Sequence, residues 1–155
     1  NYVGFIKVGR FNKRLNKTHK VCVLKTKIYS KPENKFSTKK YLPFSSEIEI
    51  LEKKNNFIMF EKNKWISFNE LETIKKQNKN FTKIFKLFLN CKYKWGGKSF
   101  DGIDCSALLQ IFYKFNNKFF PRDTIDQVKI KKGSIKKKSS KKEILFFGRD
   151  MLQFV

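Results

Sequence analysis

The stretch YKWGGKSFDGIDCSALLQ, residues 93–110, changes character within a single turn. A glycine-bearing loop gives way at Asp104-Cys105-Ser106 to an amphipathic run. Gly96-Gly97 allows a backbone conformation that a Cβ would block. Beyond Ser106, the residues Ala107, Leu108, Ile111, Phe112 and Phe115 recur at helical spacing, which predicts a helix over residues 106–115. Cys105 therefore stands at a helix start, next to the positive end of the macrodipole and to amides that no helical carbonyl takes up. A cysteine in such a place is favoured as its nucleophilic thiolate. The same amides can face a developing oxyanion. This is the arrangement of an activated cysteine nucleophile.

Downstream, PRDTIDQ occupies residues 121–127. Asp and Thr are both good N-caps, so a helix starting at Thr124 with Asp123 as its cap is expected. Arg122 reads as a structural pairing partner. Residues 129–142 hold eight Lys and no acid, which reads as a solvated loop. Residues 144–147, ILFF, read as a strand entering a core. Upstream, Phe81, Ile84, Phe85 and Phe88 fall on one face of a helix over residues 80–89. Further upstream the period changes. Short apolar runs separated by turn signals, such as Asn55-Asn56, fill residues 18–72. Strands of about five residues with frequent turns predict a small barrel or sandwich.

Three blocks stand in order along the chain: Tyr93, Trp95, Gly96 and Gly97; then Gly102, Asp104, Cys105 and Ser106; then Pro121, Arg122, Asp123, Thr124 and Gln127. This pattern resembles the NlpC family of bacterial cell-wall cysteine peptidases, in the papain-like superfamily. The upstream strands, with THKV at residues 18–21 and the Trp65-Ile66 run, resemble the bacterial SH3-like domains that precede such catalytic units. The resemblance implies an α+β fold: an SH3-like β-barrel followed by the N-terminal part of a papain-like (NlpC-type) cysteine peptidase domain. Residues 1–17 would be the tail of a preceding SH3-like domain and a linker, 18–74 the barrel, and 78–155 a peptidase domain incomplete at its C-terminus. The resemblance further implies that Cys105 attacks a γ-D-glutamyl bond to a diamino acid in a peptidoglycan stem peptide, L-Ala-γ-D-Glu-diamino acid, through a thioester that water hydrolyses. It implies an oxyanion role for Tyr93 and substrate contacts for Asp104, Ser106, Thr124 and Trp95. The compartment would be bacterial, either the cytoplasm, for wall recycling, or the periplasm and cell envelope.

A thiol of this type needs a general base, normally histidine. The chain has one histidine, His19, in the barrel segment, where the family pattern has none. Residues 143–147, EILFF, match the family's lead-in to its catalytic histidine, but GRDMLQFV follows at 148–155. One permitted coding of residues 147–155, read two bases later, spells Trp-Lys-Gly-His-Val-Ala-Ile-Cys. The expectation is a reading frame that shifts near Phe147, and a chain inactive for want of the histidine.

The composition bears on partners. Lys and Arg total 36 against 13 Asp and Glu, a formal charge of +23. Such an excess is the usual footprint of a phosphate binder. Yet Arg occurs only at positions 10, 14, 122 and 149, and the Lys is spread over the whole chain among 18 Phe. A/T-rich codons produce the same bias, and no base-reading motif is present. No specific nucleic acid is expected. The alternatives to a peptidase are a non-catalytic wall-binding module or pseudoenzyme, and less favoured, a nucleic-acid-binding SH3-like protein. Cys22, Cys91 and Cys105 form neither a disulfide framework nor a zinc pattern, and Cys22 and Cys91 read as small core hydrophobes. No metal or cofactor is expected. No run approaches the roughly 18 apolar residues of a membrane span. The opening residues lack a signal peptide, and the missing initial Met suggests a segment upstream.

Overall fold

The computed structural model describes residues 8–9 and 15–131, without the side chain of Lys131. Four expectations lie wholly or mostly outside the described residues: the tail of an earlier barrel at 1–11, of which only 8–9 are described, most of the lysine-rich loop, the strand at 144–147, and the segment 148–155 with its frame shift.

Eight short strands come first: β1 (His19–Val21), β2 (Lys25–Tyr29), β3 (Ser37–Pro43), β4 (Glu47–Ile48), β5 (Glu52–Lys54), β6 (Phe57–Glu61), β7 (Lys64–Ser67) and β8 (Leu71–Thr73). They pair antiparallel in two sheets, a five-stranded one in the order β3-β2-β7-β6-β5 and a three-stranded one in the order β4-β1-β8. The hairpins turn on asparagines. Asn55, between β5 and β6, and Asn63, between β6 and β7, both have positive φ. Asn tolerates that region better than other residues with a Cβ. One Ile stripe closes the unit: Ile28, Ile48, Ile58 and Ile66 are buried together.

The strands are those of a small β unit, but the closed barrel expected from sequence is not formed among the described residues. Two breaks in the ladder explain this. Residues 22–24 interrupt the path from β1 to β2, and residues 49–51 interrupt the path from β4 to β5. Isolated backbone bonds bridge the breaks instead, among them Phe44 N–H to Leu24 C=O at 2.9 Å and Leu51 N–H to Met59 C=O at 2.8 Å.

The helical part follows: α1 (Phe81–Lys86), the short hairpin β9 (Lys98–Ser99) and β10 (Gly102–Ile103), α2 (Cys105–Phe115) and α3 (Thr124–Lys131). Asn80 caps α1 by accepting from the Lys83 amide at 3.1 Å. This helix is shorter than its apolar stripe. The amides of Leu87 and Phe88 bond three residues back, to Ile84 and Phe85, so the last turn tightens and the helix ends. Phe88 is still buried, while Phe81 at the head of the stripe is exposed. The α2 prediction holds to within one residue. On this helix Ala107, Leu108, Ile111 and Phe115 are buried. At α3 the helix runs on to Lys131, so residues 129–131 are helical where the sequence predicted a loop.

Strands and helices share a core. Phe44, in the turn just after β3, stacks on Phe115 of α2 with centroids 4.7 Å apart and meets Phe88 edge-on at 5.8 Å. Cys22 and Leu24 pack against the same cluster. Lys20 of β1 is only 1% exposed and is the one buried lysine among the described residues. Its ammonium donates to the carbonyls of Ile74 at 3.1 Å, Lys76 at 2.5 Å and Phe115, and lies 4.2 Å from the centroid of the Phe115 ring.

Candidate active site

The loop before α2 is folded by its own backbone. Gly97 N–H donates to Lys94 C=O at 2.8 Å, Lys94 N–H to Ile103 C=O at 3.2 Å, and Asp104 N–H to Gly97 C=O at 3.3 Å. Gly96 has φ +75°, in the region that favours glycine. Gly97 is required for a different reason: a Cβ there would overlap the Gly102 carbonyl and the Lys94 carbonyl oxygen. The two glycines thus bring the segment carrying Tyr93 alongside Ile103, with which Tyr93 forms an isolated parallel bridge.

Asp104 is the keystone of this arrangement and is 7% exposed. Its Oδ1 accepts from the Ala107 amide at 2.8 Å and from the Ser106 hydroxyl at 3.0 Å, which makes it the N-cap of α2. Its Oδ2 accepts from the Gly96 amide at 2.9 Å. Arg122 grips both oxygens, Nη1 on Oδ1 at 3.0 Å and Nη2 on Oδ2 at 2.5 Å, and Nη1 also reaches the Ser106 hydroxyl at 2.5 Å. Burial opposes ionisation of this carboxyl. The hydrogen bonds from Arg122, Ala107 and Ser106, together with the Arg122 charge, outweigh that penalty and hold it below the usual carboxylate range. Gln127 completes the network by donating to the carbonyls of Ser106 at 2.9 Å and Pro121 at 2.8 Å, which ties α3 to the first turn of α2. The sequence reading of Arg122 as a pairing partner therefore holds, and Asp104 is the acid it pairs with.

Cys105 follows directly and is exposed between two buried neighbours. It opens onto a cavity of about 510 Å³. All six residues singled out from sequence line that cavity: Tyr93, Trp95, Asp104, Cys105, Ser106 and Thr124. Trp95, at 87% exposed, forms an apolar rim, with Ile125 on another side. The sequence reading missed Lys98, Ile125 and, as a lining residue, Asp123. The last two adjoin Thr124 in the PRDTIDQ run and could have been found from that spacing. Lys98 could not, since nothing separates it from the many other lysines.

The remaining candidates lie elsewhere. His19 is on β1, with Nδ1 3.0 Å from the Thr18 hydroxyl and its ring 6.0 Å from that of Phe68. Burial and then Lys53 push its pKa below the ordinary value. It does not line the Cys105 cavity. Cys22 and Cys91 are half-buried against the shared core, and burial raises both thiols. Among the described residues no group of three or more His, Cys, Asp or Glu is placed to hold a metal ion. No helix there is long and apolar enough to cross a membrane.

Comparison with known proteins gives three findings. The family model described as the NlpC/P60 family matches residues 90–154. A stretch of 61 residues is 39% identical to the gamma-D-glutamyl-L-lysine dipeptidyl-peptidase of Bacillus subtilis (strain 168), covering 39% of this chain and 21% of that protein. The chain thus spans about a fifth of the length of the curated relative it matches. The fold superposes with a TM-score of 0.61 on the crystal structure of a NlpC/P60 family protein from Bacillus cereus ATCC 10987, over 74% of this chain and 41% of that one, at 21% identity. The family match and the partial identity to the dipeptidyl-peptidase thus fall on the part of the chain that carries the exposed cysteine opening α2, and residues 90–154 are similar to the NlpC/P60 family.

Proposed function

We propose that this chain is part of a cysteine peptidase that cleaves γ-D-glutamyl-diamino acid bonds in peptidoglycan stem peptides, with Cys105 as nucleophile. The observation that carries the reading is the exposed thiol at the first residue of α2, opening onto the cavity that Tyr93, Trp95 and Thr124 also line. The partial identity to a gamma-D-glutamyl-L-lysine dipeptidyl-peptidase supports the substrate class. In this reading the thiolate adds to the γ-carbonyl carbon, and the C–N bond to the diamino acid breaks as its nitrogen takes up a proton. A thioester remains on Cys105, and water converts it to the free γ-carboxylate and the thiol. The first-turn amides of α2 and the Tyr93 hydroxyl face the oxyanion. Trp95 and Thr124 line the peptide. Asp104 and Ser106 shape the amino-terminal end of the cleft while bound to Arg122. The strands at 18–74 act as the SH3-like unit of such an enzyme; their small antiparallel sheets over one Ile core support this.

The sole histidine of the 155 residues, His19, is absent from the cavity lining. A polypeptide of these residues therefore presents a nucleophile and binds peptide but does not turn it over.

Alkylation by iodoacetamide at neutral pH, resolved by site with mass spectrometry, tests the reading. Cys105 is expected to react faster than Cys22 and Cys91, and L-Ala-γ-D-Glu-L-Lys is expected to slow it selectively. No product should accumulate from the peptide. A Cys105 that reacts no faster than the other two, with no protection by the peptide, would leave only a wall-binding module. Measurable hydrolysis would overturn the claim about turnover.

A further inference from the structure

Lysine is so frequent in this chain that any surface feature rich in it carries little information. Lys20 is the exception, because it is the one lysine that the described structure buries. Burying an ammonium is costly unless its donors are satisfied. All three of its donors find backbone carbonyls, and these come from two elements other than its own strand: Ile74 and Lys76 in the connection after β8, and Phe115 in the last turn of α2. The last turn of a helix has carbonyls without helical partners and the negative end of the macrodipole, so a cation fits there on both counts. Two asparagines reinforce the same end. Asn116 donates to Asn78 C=O at 3.0 Å and accepts from Asn78 N–H at 2.7 Å, and Asn117 donates to Ile74 C=O at 2.6 Å.

The other end of α2 is also held by the strand unit, through the hairpin that leads into it. Phe100, at the tip between β9 and β10, meets the ring of Tyr41 of β3 edge-on at 5.9 Å. The Lys25 ammonium lies 4.7 Å from the Tyr41 centroid and 5.1 Å from that of Phe100. The eleven residues of α2 span about 16 Å, a rigid rod with Cys105 at one end and Phe115 at the other. A rod held at one end can still pivot or turn about its axis.

We infer that Lys20 is a positioning residue for Cys105: by pinning the C-terminal end of α2 to the strand unit, it fixes the presentation of the thiol at the opposite end. The inference rests on the reading of Cys105 as nucleophile. The strand unit then sets the register of the helix that carries the nucleophile. The groups that surround the thiol, Tyr93, Lys98, Arg122, Asp123 and Asp104, are themselves untouched by a change at Lys20.

The test uses the whole chain and the variant Lys20→Met, which keeps an unbranched side chain at this buried position and removes the donors. Two readouts are taken: the rate of Cys105 alkylation at neutral pH relative to that of Cys91, and amide hydrogen exchange along α2. The expected result is a several-fold slower Cys105 rate with the Cys91 rate unchanged, and a larger rise in exchange in α2 than in β6 and β7. Unchanged Cys105 kinetics with exchange raised evenly through the molecule would overturn the inference and leave Lys20 as a stabilising residue only. Asn117→Gly, at an exposed contact where φ is positive, removes the bond to Ile74 without backbone strain and guards against a Lys20→Met variant that does not fold. It should slow Cys105 alkylation in the same direction by less, and an unaltered rate in this folded variant would equally overturn the inference. Failure of the nucleophile reading is distinct, because it shows in the unmodified chain as a Cys105 no more reactive than Cys22 and Cys91.

Discussion

The carboxylate of Asp104 is asked to cap a helix and to anchor an arginine from eighteen residues further along. Both demands fall on one group that is nearly out of solvent. Removing an N-cap costs about 1 kcal/mol, and stripping one partner from a buried pair costs about 3–5 kcal/mol. Asp104→Ala is therefore expected to lower stability by about 3 kcal/mol or more, measured by urea denaturation. The pH dependence follows from the direction of its shift. Asp104 ionises at lower pH in the folded chain than at its ordinary value of 3.8, so its contribution is complete above that value. It is lost as pH falls through the lower folded value. Asp104→Asn should flatten that acid limb of the stability curve; an acid limb as steep as in the unmodified chain would assign it to other carboxylates. The partnership itself was only half legible. The sequence marks Asp104 and Arg122 as notable, but nothing in the spacing says that they meet.

At the scale of elements, the loop from residue 93 to residue 103 works because two backbone segments come within contact distance. Gly97→Ala would push a methyl group against the Gly102 and Lys94 carbonyls, which are backbone and cannot step aside. The expected result is a destabilised loop and loss of the selective alkylation of Cys105, read by the same mass-spectrometric labelling. An alanine variant with unchanged labelling would show that the loop does not set the thiol's environment. Much of this level was readable in advance. The apolar period of Ala107, Leu108, Ile111 and Phe115 fixed α2, because those side chains do face a core. The end of α1 was not readable, since its stripe continues to Phe88 while the backbone has already tightened. Nor was the two-sheet arrangement, because the breaks at residues 22–24 and 49–51 carry no glycine or proline to announce them. Lys20 was hidden by composition: one interior lysine looks like every other in a chain so rich in them.

The molecule as a whole carries a formal charge of +23, and like charges repel more strongly once the chain is compact. Only a few of its lysines are paired within the described residues, at exposed bridges such as Lys17–Glu47 and Lys64–Glu61. Salt should therefore stabilise the fold. The thermal midpoint is expected to rise between low and physiological ionic strength, and a midpoint that falls would mean that the ion pairs outweigh the repulsion. One feature works against any division of this chain into interchangeable parts. Phe44 belongs to the strand unit by sequence, yet it lies flat on the helix that bears Cys105 and touches the Phe that follows α1. The strands are thus a wall of the room in which the helices are packed. Grafting the helical half onto a different upstream unit would require a new aromatic ring in that position.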